Sequence, residues 1–375
     1  MIWQLAWRML RYKKLRFAFT VFGLAALFML SASQVGLLVG WCNTISAVVS
    51  HSDVDIWVMA ERTTAWDYGT SIPKHRILQV RNVPGVRSTD GMYVGWSMWQ
   101  CPDGRRLSVQ LIGLDDGSIG GPWELVEGSV ESVHLSQSVI VDELFTSLLG
   151  ISEVGQQVEL NGEKATVRGI SRGVRTFTAS PIVFTAMKTA PRYDKSYRRD
   201  DTTFVLAKCN PGFNARDVAR TIEREVPGVE ALTTSDLMQR SITYWMVETG
   251  MGLIVSLTAI LGLLVSAVVT SQTLFTTTQD HLPAYATLLA IGFSRSQLLT
   301  CVLFQGLILT GCGILLGSLF FRGLSLLSAS TPVPLEMTAM IYCGLTGTSI
   351  SSGMLGAFLS LKAIQRIDPN SVFRA

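Results

Sequence analysis

Four long windows of this sequence carry no charged side chain: residues 17–41, 249–279, 296–321 and 337–361. Each exceeds the roughly 20 residues needed to cross bilayer hydrocarbon. One Asp, Lys or Arg at mid-span costs about 2.5–3.5 kcal/mol on insertion scales, so uncharged runs of this length select for membrane helices. They predict transmembrane helices over 17–41, 245–275, 298–321 and 337–361. The apolar run continues through Gln34 to Leu38 past Ser31-Ala32-Ser33, which otherwise imitates a signal-peptide cleavage site, so the first span is expected to be retained.

Orientation follows from Arg8, Arg11, Lys13, Lys14 and Arg16, which precede the first span with no acidic residue among them and place that end in the cytoplasm. Lys362, Arg366 and Arg374 follow the fourth window, and an even number of spans returns the C-terminus to the same side. About 200 residues, 42–244, then lie outside the cytoplasm, ample for an independent core. The expected fold is an α-helical membrane protein with four transmembrane helices. A large extracytoplasmic α/β domain of two subdomains is inserted between helices 1 and 2.

Within 1–16, Trp3, Trp7 and Leu10 share one helical face. That segment reads as an amphipathic helix on the inner leaflet or as ordinary positive flanking, and the two are compatible. Gly36 and Gly40 in the first span, and Gly262 and Ser266 in the second, have the spacing that lets helices approach closely. The same spacing recurs at Gly313 and Gly317, and at Ser349 and Gly353. Tight packing is expected there, with dimerisation one option.

In the inserted region a helix, Val-Pro-Gly-Val and a strand occur twice, around Val83–Val86 and Val226–Val229. Pro-Gly ends a helix and turns the chain, so two related units are expected to share a sheet in a subdomain of about 42–114 and 200–235. Residues 115–199 read as a β-rich subdomain, with Asn161-Gly162 as a hairpin turn. The mixed charges of 192–201 read as solvated surface, and 236–248 as a stalk into the second span. A short loop, 322–336, and a tail, 362–375, complete the chain.

The interlude 276–297 is too polar for hydrocarbon, yet it is patterned. Pro283 suits a first helical turn, and Asp280 favours the positive end of that helix. Tyr285, Leu288 and Leu289 fall on one line and Ala284, Leu288 and Ile291 on another, with Gly292 as the stop. A short cytoplasmic helix is expected, acting as a lever.

No catalytic constellation accompanies it. His51, His75, His134 and His281 show no metal-ligand spacing, and no nucleophile elbow or Gly-Lys-Ser/Thr phosphate loop is present. A non-catalytic chain that binds no cofactor is expected, and if nucleotide energy is used, another chain binds it. Cys101 and Cys209, inside the external domain, either pair or remain thiols. The net charge of +3 gives no reason to expect nucleic acid.

The stretch Asp280-His-Leu-Pro-Ala-Tyr-Ala-Thr-Leu-Leu-Ala-Ile-Gly292 resembles the cytoplasmic signature of the FtsX/MacB superfamily of ABC-transporter permeases, and more narrowly DevC-type permeases. The likeness extends to Tyr244-Trp245, to Gln305-Gly306-Leu307-Ile308-Leu309 and to Asp368-Pro369-Asn370-Ser371-Val372-Phe373. The resemblance implies a multi-pass protein of the bacterial inner membrane, with both termini cytoplasmic and a second permease copy as partner. It further implies an ABC ATPase subunit that binds ATP-Mg, a periplasmic membrane-fusion protein and a TolC-like outer-membrane channel. The coupling helix that docks on the ATPase would then comprise Pro283, Ala284, Tyr285, Leu288, Leu289, Ile291 and Gly292. DevC relatives carry Glu and Lys where this chain has Ala284 and Leu289, so an apolar docking fit is expected. The alternatives are an FtsX-like mechanotransmitter and a LolC/LolE-like lipoprotein-extracting permease.

Overall fold

The computed structural model describes residues 2–115, 119–178 and 180–359. Its helices are α1 (Ile2–Tyr12), α2 (Lys14–His51), α3 (Arg76–Arg81), α4 (Thr146–Leu149), α5 (Ala190–Tyr193) and α6 (Ala215–Glu225), then α7 (Thr234–Thr243), α8 (Met251–Gln279), α9 (Leu282–Ala290), α10 (Arg295–Ser328) and α11 (Ala339–Leu359). The strands are β1 (Ile56–Ala60), β2 (Ile72–Pro73), β3 (Val86–Gln100), β4 (Arg106–Leu114), β5 (Leu125–Gly128) and β6 (Ser138–Asp142), then β7 (Gln157–Leu160), β8 (Glu163–Ser171), β9 (Ile182–Ala186), β10 (Asp201–Thr202), β11 (Phe204–Cys209) and β12 (Val229–Thr233). The chain divides into a helical unit (Met1–Gly40, Ile254–Ala329, Pro334–Ala375) and an α/β unit (Trp41–Leu253, Ser330–Val333).

Among the described residues three helices, α2, α8 and α10, are long and apolar enough to cross a membrane. The expectation of four transmembrane helices is therefore corrected to three. The fourth window does form a helix, α11. Its residues 339–359 include five serine and threonine hydroxyls (Thr346, Thr348, Ser349, Ser351, Ser352) and four glycines. Lack of charge is a weaker condition than apolarity, since each hydroxyl and each bare backbone segment subtracts from the transfer free energy that drives insertion. The parity argument that placed both termini on one side falls with the fourth span. The tail 362–375, with its Asp368–Phe373 motif, lies outside the described residues.

α10 is the centre of the helical unit. Ala6 and Leu10 of α1 are buried in one cluster with Leu24 of α2, Leu274 of α8, and Cys301, Ile308 and Leu309 of α10. Trp3 meets Phe304 edge-on, with ring centroids 5.5 Å apart. Small residues set how closely the helices cross. A methyl group at Gly317 would lie 2.6 Å from the Ala25 carbonyl oxygen of α2, and one at Gly356 2.5 Å from that of Ser271 on α8. Gly36 abuts Phe321, Gly40 abuts Pro334, and Gly262 faces the Gln34 side chain. The Ser266 hydroxyl donates to the Leu27 carbonyl (3.1 Å) and accepts from Ser31 (2.7 Å). Gly36, Gly40, Gly262 and Ser266 thus all make their close approaches inside this unit.

The α/β unit is built on one ten-stranded sheet, in the order β12-β1-β11-β3-β4-β9-β6-β8-β5, with β7 against β3 and β8. The stretches expected as two subdomains share this sheet because β3 is 15 residues long. Its first half pairs with β11, and its second half with β4 and β7. Both Val-Pro-Gly-Val turns lead from a helix, α3 or α6, into a strand of this sheet, β3 or β12. Gly85 has φ +94, and a side chain there would strike Phe213 and Val218 at 2.8 Å, so this turn requires glycine. Val218, Ala219 and Ile222 of α6 cover Ile56, Val58 and Val205 on one face. Val48 and Val49 of α2 and Leu237 of α7 join Trp57, Met92 and Phe204 in a second core. A third core holds Trp99, Leu111 and Val183 with Leu149 and Tyr193. Asn161 and Gly162 (φ 51 and 86) close the β7–β8 hairpin. Cys101 and Cys209 are free thiols in different cores.

Within this unit the end of α2, α7 and the turn that follows α7 are all bound to the turn Trp66–Tyr68. The Trp66 indole donates to the Ile45 carbonyl of α2 (2.7 Å), and its backbone N–H donates to Ser241 Oγ of α7 (3.2 Å). The Trp245 indole donates to Asp67 Oδ1 (3.2 Å) from a π-helical turn, Tyr244–Glu248. Gly250, at φ +73, separates that turn from α8.

Burial raises the Asp67 carboxyl from 3.8 to about 6, against the opposing effect of the Trp245 bond. A raised carboxyl holds its proton more tightly folded than unfolded. Its ionisation therefore destabilises the fold progressively from about pH 4 to about 6, and fully above that. Asp67→Asn keeps the acceptor for Trp245 and removes the charge. It is expected to add on the order of 2–3 kcal/mol near pH 7 and to flatten the stability change between these pH values. Thermal unfolding followed by tryptophan fluorescence tests this, and an unaltered pH dependence in the variant would exclude the assignment.

Candidate functional site

The nine residues of α9 lie between two spans, α8 and α10, and are fixed at both ends. His281 precedes the helix, with its Nδ1 2.7 Å from the Thr277 carbonyl, and Pro283 occupies the first turn. At the far end the N–H of Gly292 bonds Leu289 O and that of Phe293 bonds Leu288 O, both at 3.0 Å. Gly292, at φ +103, is the left-handed residue that this helix stop requires. Ser294 and Gln297 then form a reciprocal capping box that starts α10.

The inner face of α9 is held by Tyr285, which is fully buried. Its phenol donates to Gln305 Oε1 of α10 at 2.5 Å, and Gln305 Nε2 reaches Met9 Sδ of α1 at 3.7 Å. One carboxamide thus joins three helices. Burial raises the Tyr285 phenol well above its ordinary value, with Cys301 adding to the shift and the Gln305 bond opposing it, so it remains a neutral donor. Around it Leu298, Val302 and Ala357 are buried, with Leu282, Leu288, Leu289 and Phe293 packed against them. A half-exposed ion pair, Arg16 to Asp280 (2.9 Å), ties α2 to the entry of α9. Pairs of this kind contribute about 0–1 kcal/mol, so it places Asp280 more than it stabilises the fold.

The residues singled out on α9 therefore divide between two faces. Tyr285, Leu288 and Leu289 point inward, while Pro283, Ala284, Ile291 and Gly292 are exposed, together with Thr287. Ile291 is 72% exposed, unusual for an isoleucine outside a span. Beside this rim a groove of about 430 Å³ is lined by Arg8, Met9, Tyr12 and Lys13 of α1 and by Asp280, His281, Pro283 and Ala284. Sequence reasoning missed Gln305 as an anchor and Arg8 and Lys13 as neighbours of α9. The signals for Gln305 were a carboxamide inside an uncharged span and its place in the stretch Gln305–Leu309 that carries part of the family likeness. Among the described residues no group of three His, Cys, Asp or Glu could hold a metal ion.

Comparison with known proteins agrees with this layout. Residues 17–225 match the model of the MacB-like periplasmic core domain, and residues 256–369 match that of the FtsX-like permease C-terminal domain. Among solved structures, the periplasmic region of MacB from Actinobacillus actinomycetemcomitans is 10% identical, with TM-score 0.40, over 50% of this chain and 92% of that one. The extracellular domain of the noncanonic ABC-type transporter YknZ from Gram-positive bacteria is 13% identical, with TM-score 0.35, over 48% and 98%. A domain of a putative permease protein from Porphyromonas gingivalis is 10% identical, with TM-score 0.32, over 48% and 88%. The family rests on the two sequence matches. The chain belongs to the FtsX/MacB-like ABC-transporter permeases, whose members are non-catalytic multi-pass membrane subunits.

Tyr285→Phe removes the hydroxyl that donates to Gln305 Oε1 and should cost about 1–3 kcal/mol of local stability. Amide hydrogen exchange over 282–290 is expected to accelerate, with the cores of α8 and α10 unchanged. Equal exchange in both proteins would show that the bond does not hold α9.

Proposed function

We propose, with membership of that family as the premise, that this chain is the permease subunit of an ATP-driven exporter. ATP-Mg is bound and hydrolysed by a separate ATPase subunit, which docks on α9 and moves the helical unit. The movement reaches the extracytoplasmic α/β domain, which works with a periplasmic membrane-fusion protein and an outer-membrane channel. The observation that carries this reading is the geometry of α9: a short helix, capped at both ends, anchored inward through Tyr285 and presenting Ile291 outward. A lever of this kind passes on force only if its base is stiffer than its docking contact.

Sidedness is supported by packing inside the helical unit. Met9 of α1 shares one cluster with Tyr285 of α9, so the two short helices lie on the same side of the membrane. Five basic residues between Arg8 and Arg16 favour the cytoplasm for that side, in a bacterial inner membrane. A second permease copy has an available surface on α8, where Leu257, Leu261, Leu264 and Val268 are exposed.

The expectation of a purely apolar docking fit is modified by Arg8 and Lys13, which line the groove next to Pro283 and Ala284. The ATPase surface is proposed to offer an apolar patch to Ile291 and Ala284, rimmed by carboxylates facing α1. Ile291→Asp, and separately Arg8→Glu with Lys13→Glu, should each weaken ATPase co-purification about tenfold or more, the loss that 1.4 kcal/mol produces. Both variants should keep wild-type detergent stability. Leu288→Asp, on the inward face, should instead lower the yield of folded protein. Full ATPase retention by both outward variants would refute the docking assignment.

A further inference from the structure

Far along the sequence from α9, the α/β unit has a cleft of about 530 Å³ whose lining includes Lys74, Lys188, Arg192 and Arg199, with Thr189 and Gln137 as hydrogen-bonding neighbours. No carboxylate lines it among the described residues. The fold gathers these cations from separate places. Lys74 follows β2, and its backbone N–H bonds the Asp200 carbonyl at 2.7 Å where β2 and β10 pair, which draws the loop carrying Arg199 towards it. Lys188 lies on the turn after β9 and Arg192 on the short helix α5 that follows, where the Arg192 N–H bonds the Thr189 carbonyl at 2.9 Å.

Charge balance along 192–201 looks mixed in the sequence, but the structure turns one of its three carboxylates inward. Asp194 is buried and turned inward, accepting from the Tyr93 phenol (2.6 Å), the Ser196 hydroxyl (2.6 Å) and the Ser196 N–H (2.9 Å). Arg192 and Arg199 are exposed and have no carboxylate within ion-pair distance among the described residues. Lys74 pairs with Asp115 at 4.0 Å. Cations converging on one cleft repel each other, and the cleft focuses their field. Guanidinium groups are always charged and match a tetrahedral oxyanion with paired donors. One carboxylate would leave part of the charge of Arg192 and Arg199 uncompensated, whereas a phosphoryl group carries more negative charge and more acceptor oxygens.

We infer that this cleft binds a phosphoryl group, presented either by a soluble phosphorylated molecule or by a phospholipid headgroup. The test uses the full chain in neutral-lipid nanodiscs, titrated with inorganic pyrophosphate by calorimetry. Saturable one-to-one binding is expected, weakened at least about tenfold in Arg192→Gln/Arg199→Gln and unchanged in Arg105→Gln/Arg106→Gln, exposed arginines on another strand connection. Lys188→Gln serves as a second variant should the double variant fold poorly. Doping the discs with phosphatidic acid separates the sources. Loss of pyrophosphate binding supports the site and assigns it to a headgroup, and unaltered binding supports it for a soluble ligand. The inference fails if the wild type shows no saturable binding, if the cleft variants bind like the wild type, or if citrate binds as tightly as pyrophosphate.

Discussion

The phenol of Tyr285 and the carboxamide of Gln305 meet at 2.5 Å in a cluster that is otherwise apolar. Neither group could occupy that site without the other, because an unmatched polar atom in apolar surroundings costs several times what a matched pair contributes. The bond is therefore a positional lock more than a source of net stability. Since Gln305 also touches Met9, movement of α9 disturbs α1 and α10 together. The rest of the geometry of α9 follows from this lock. Gly292 can end α9 after nine residues, and Ser294 can begin α10 at once, because the inner face is already fixed. Ile291 caps the C-terminal end of α9, beyond its last turn, and is left outward there.

The α/β unit depends on a different device, the length of β3. One strand that takes β11 along its first half and β4 along its second makes a single sheet out of two layers of sequence. The helices then cover it locally, α6 over the β1 and β12 end and α4 and α5 over the other. At its base the Trp66–Tyr68 turn gathers bonds from Ile45, Ser241 and Trp245. Placing a carboxylate, Asp67, in that junction keeps the contact polar and directional, at the cost of burying an ionisable group.

How much of this was legible in the sequence depended on the range of the interaction that decides each feature. The Asn161-Gly162 hairpin and both Val-Pro-Gly-Val turns are local backbone chemistry, and they could be read directly. So could the termini of α9, since Pro283 and Gly292 act within one helical turn. The fourth span was misjudged because charge was counted and hydroxyls were not, although Thr346 to Ser352 were in plain view. The continuity of the sheet was beyond reach, because strand pairing over a hundred positions leaves no periodic mark. The inward and outward faces of α9 were only half legible. Its apolar positions outnumber what one face can bury, and only the partner, α10 with Gln305, decides that Leu288 and Leu289 turn in while Ile291 stays out.

The same distinction governs charge. Asp194 and Arg192 are two positions apart and would be expected to cancel, yet one is drawn into a buried network with Tyr93 and Ser196 and the other is left on the surface. Burial works to raise the Asp194 carboxyl, but the bonds from Ser196 and Tyr93 hold it below the ordinary carboxylate value, so it stays ionised inside the network. Its negative charge is consequently spent on internal donors, and the outward field of that segment is positive although its composition is mixed. On α9 the argument runs in reverse. A helix that lacks both signature charges borders a groove lined by Arg8 and Lys13 from another helix. In both places the surface a partner would meet is assembled from residues distant in sequence, so the charge of a docking face is a property of the packing and not of the segment that names it.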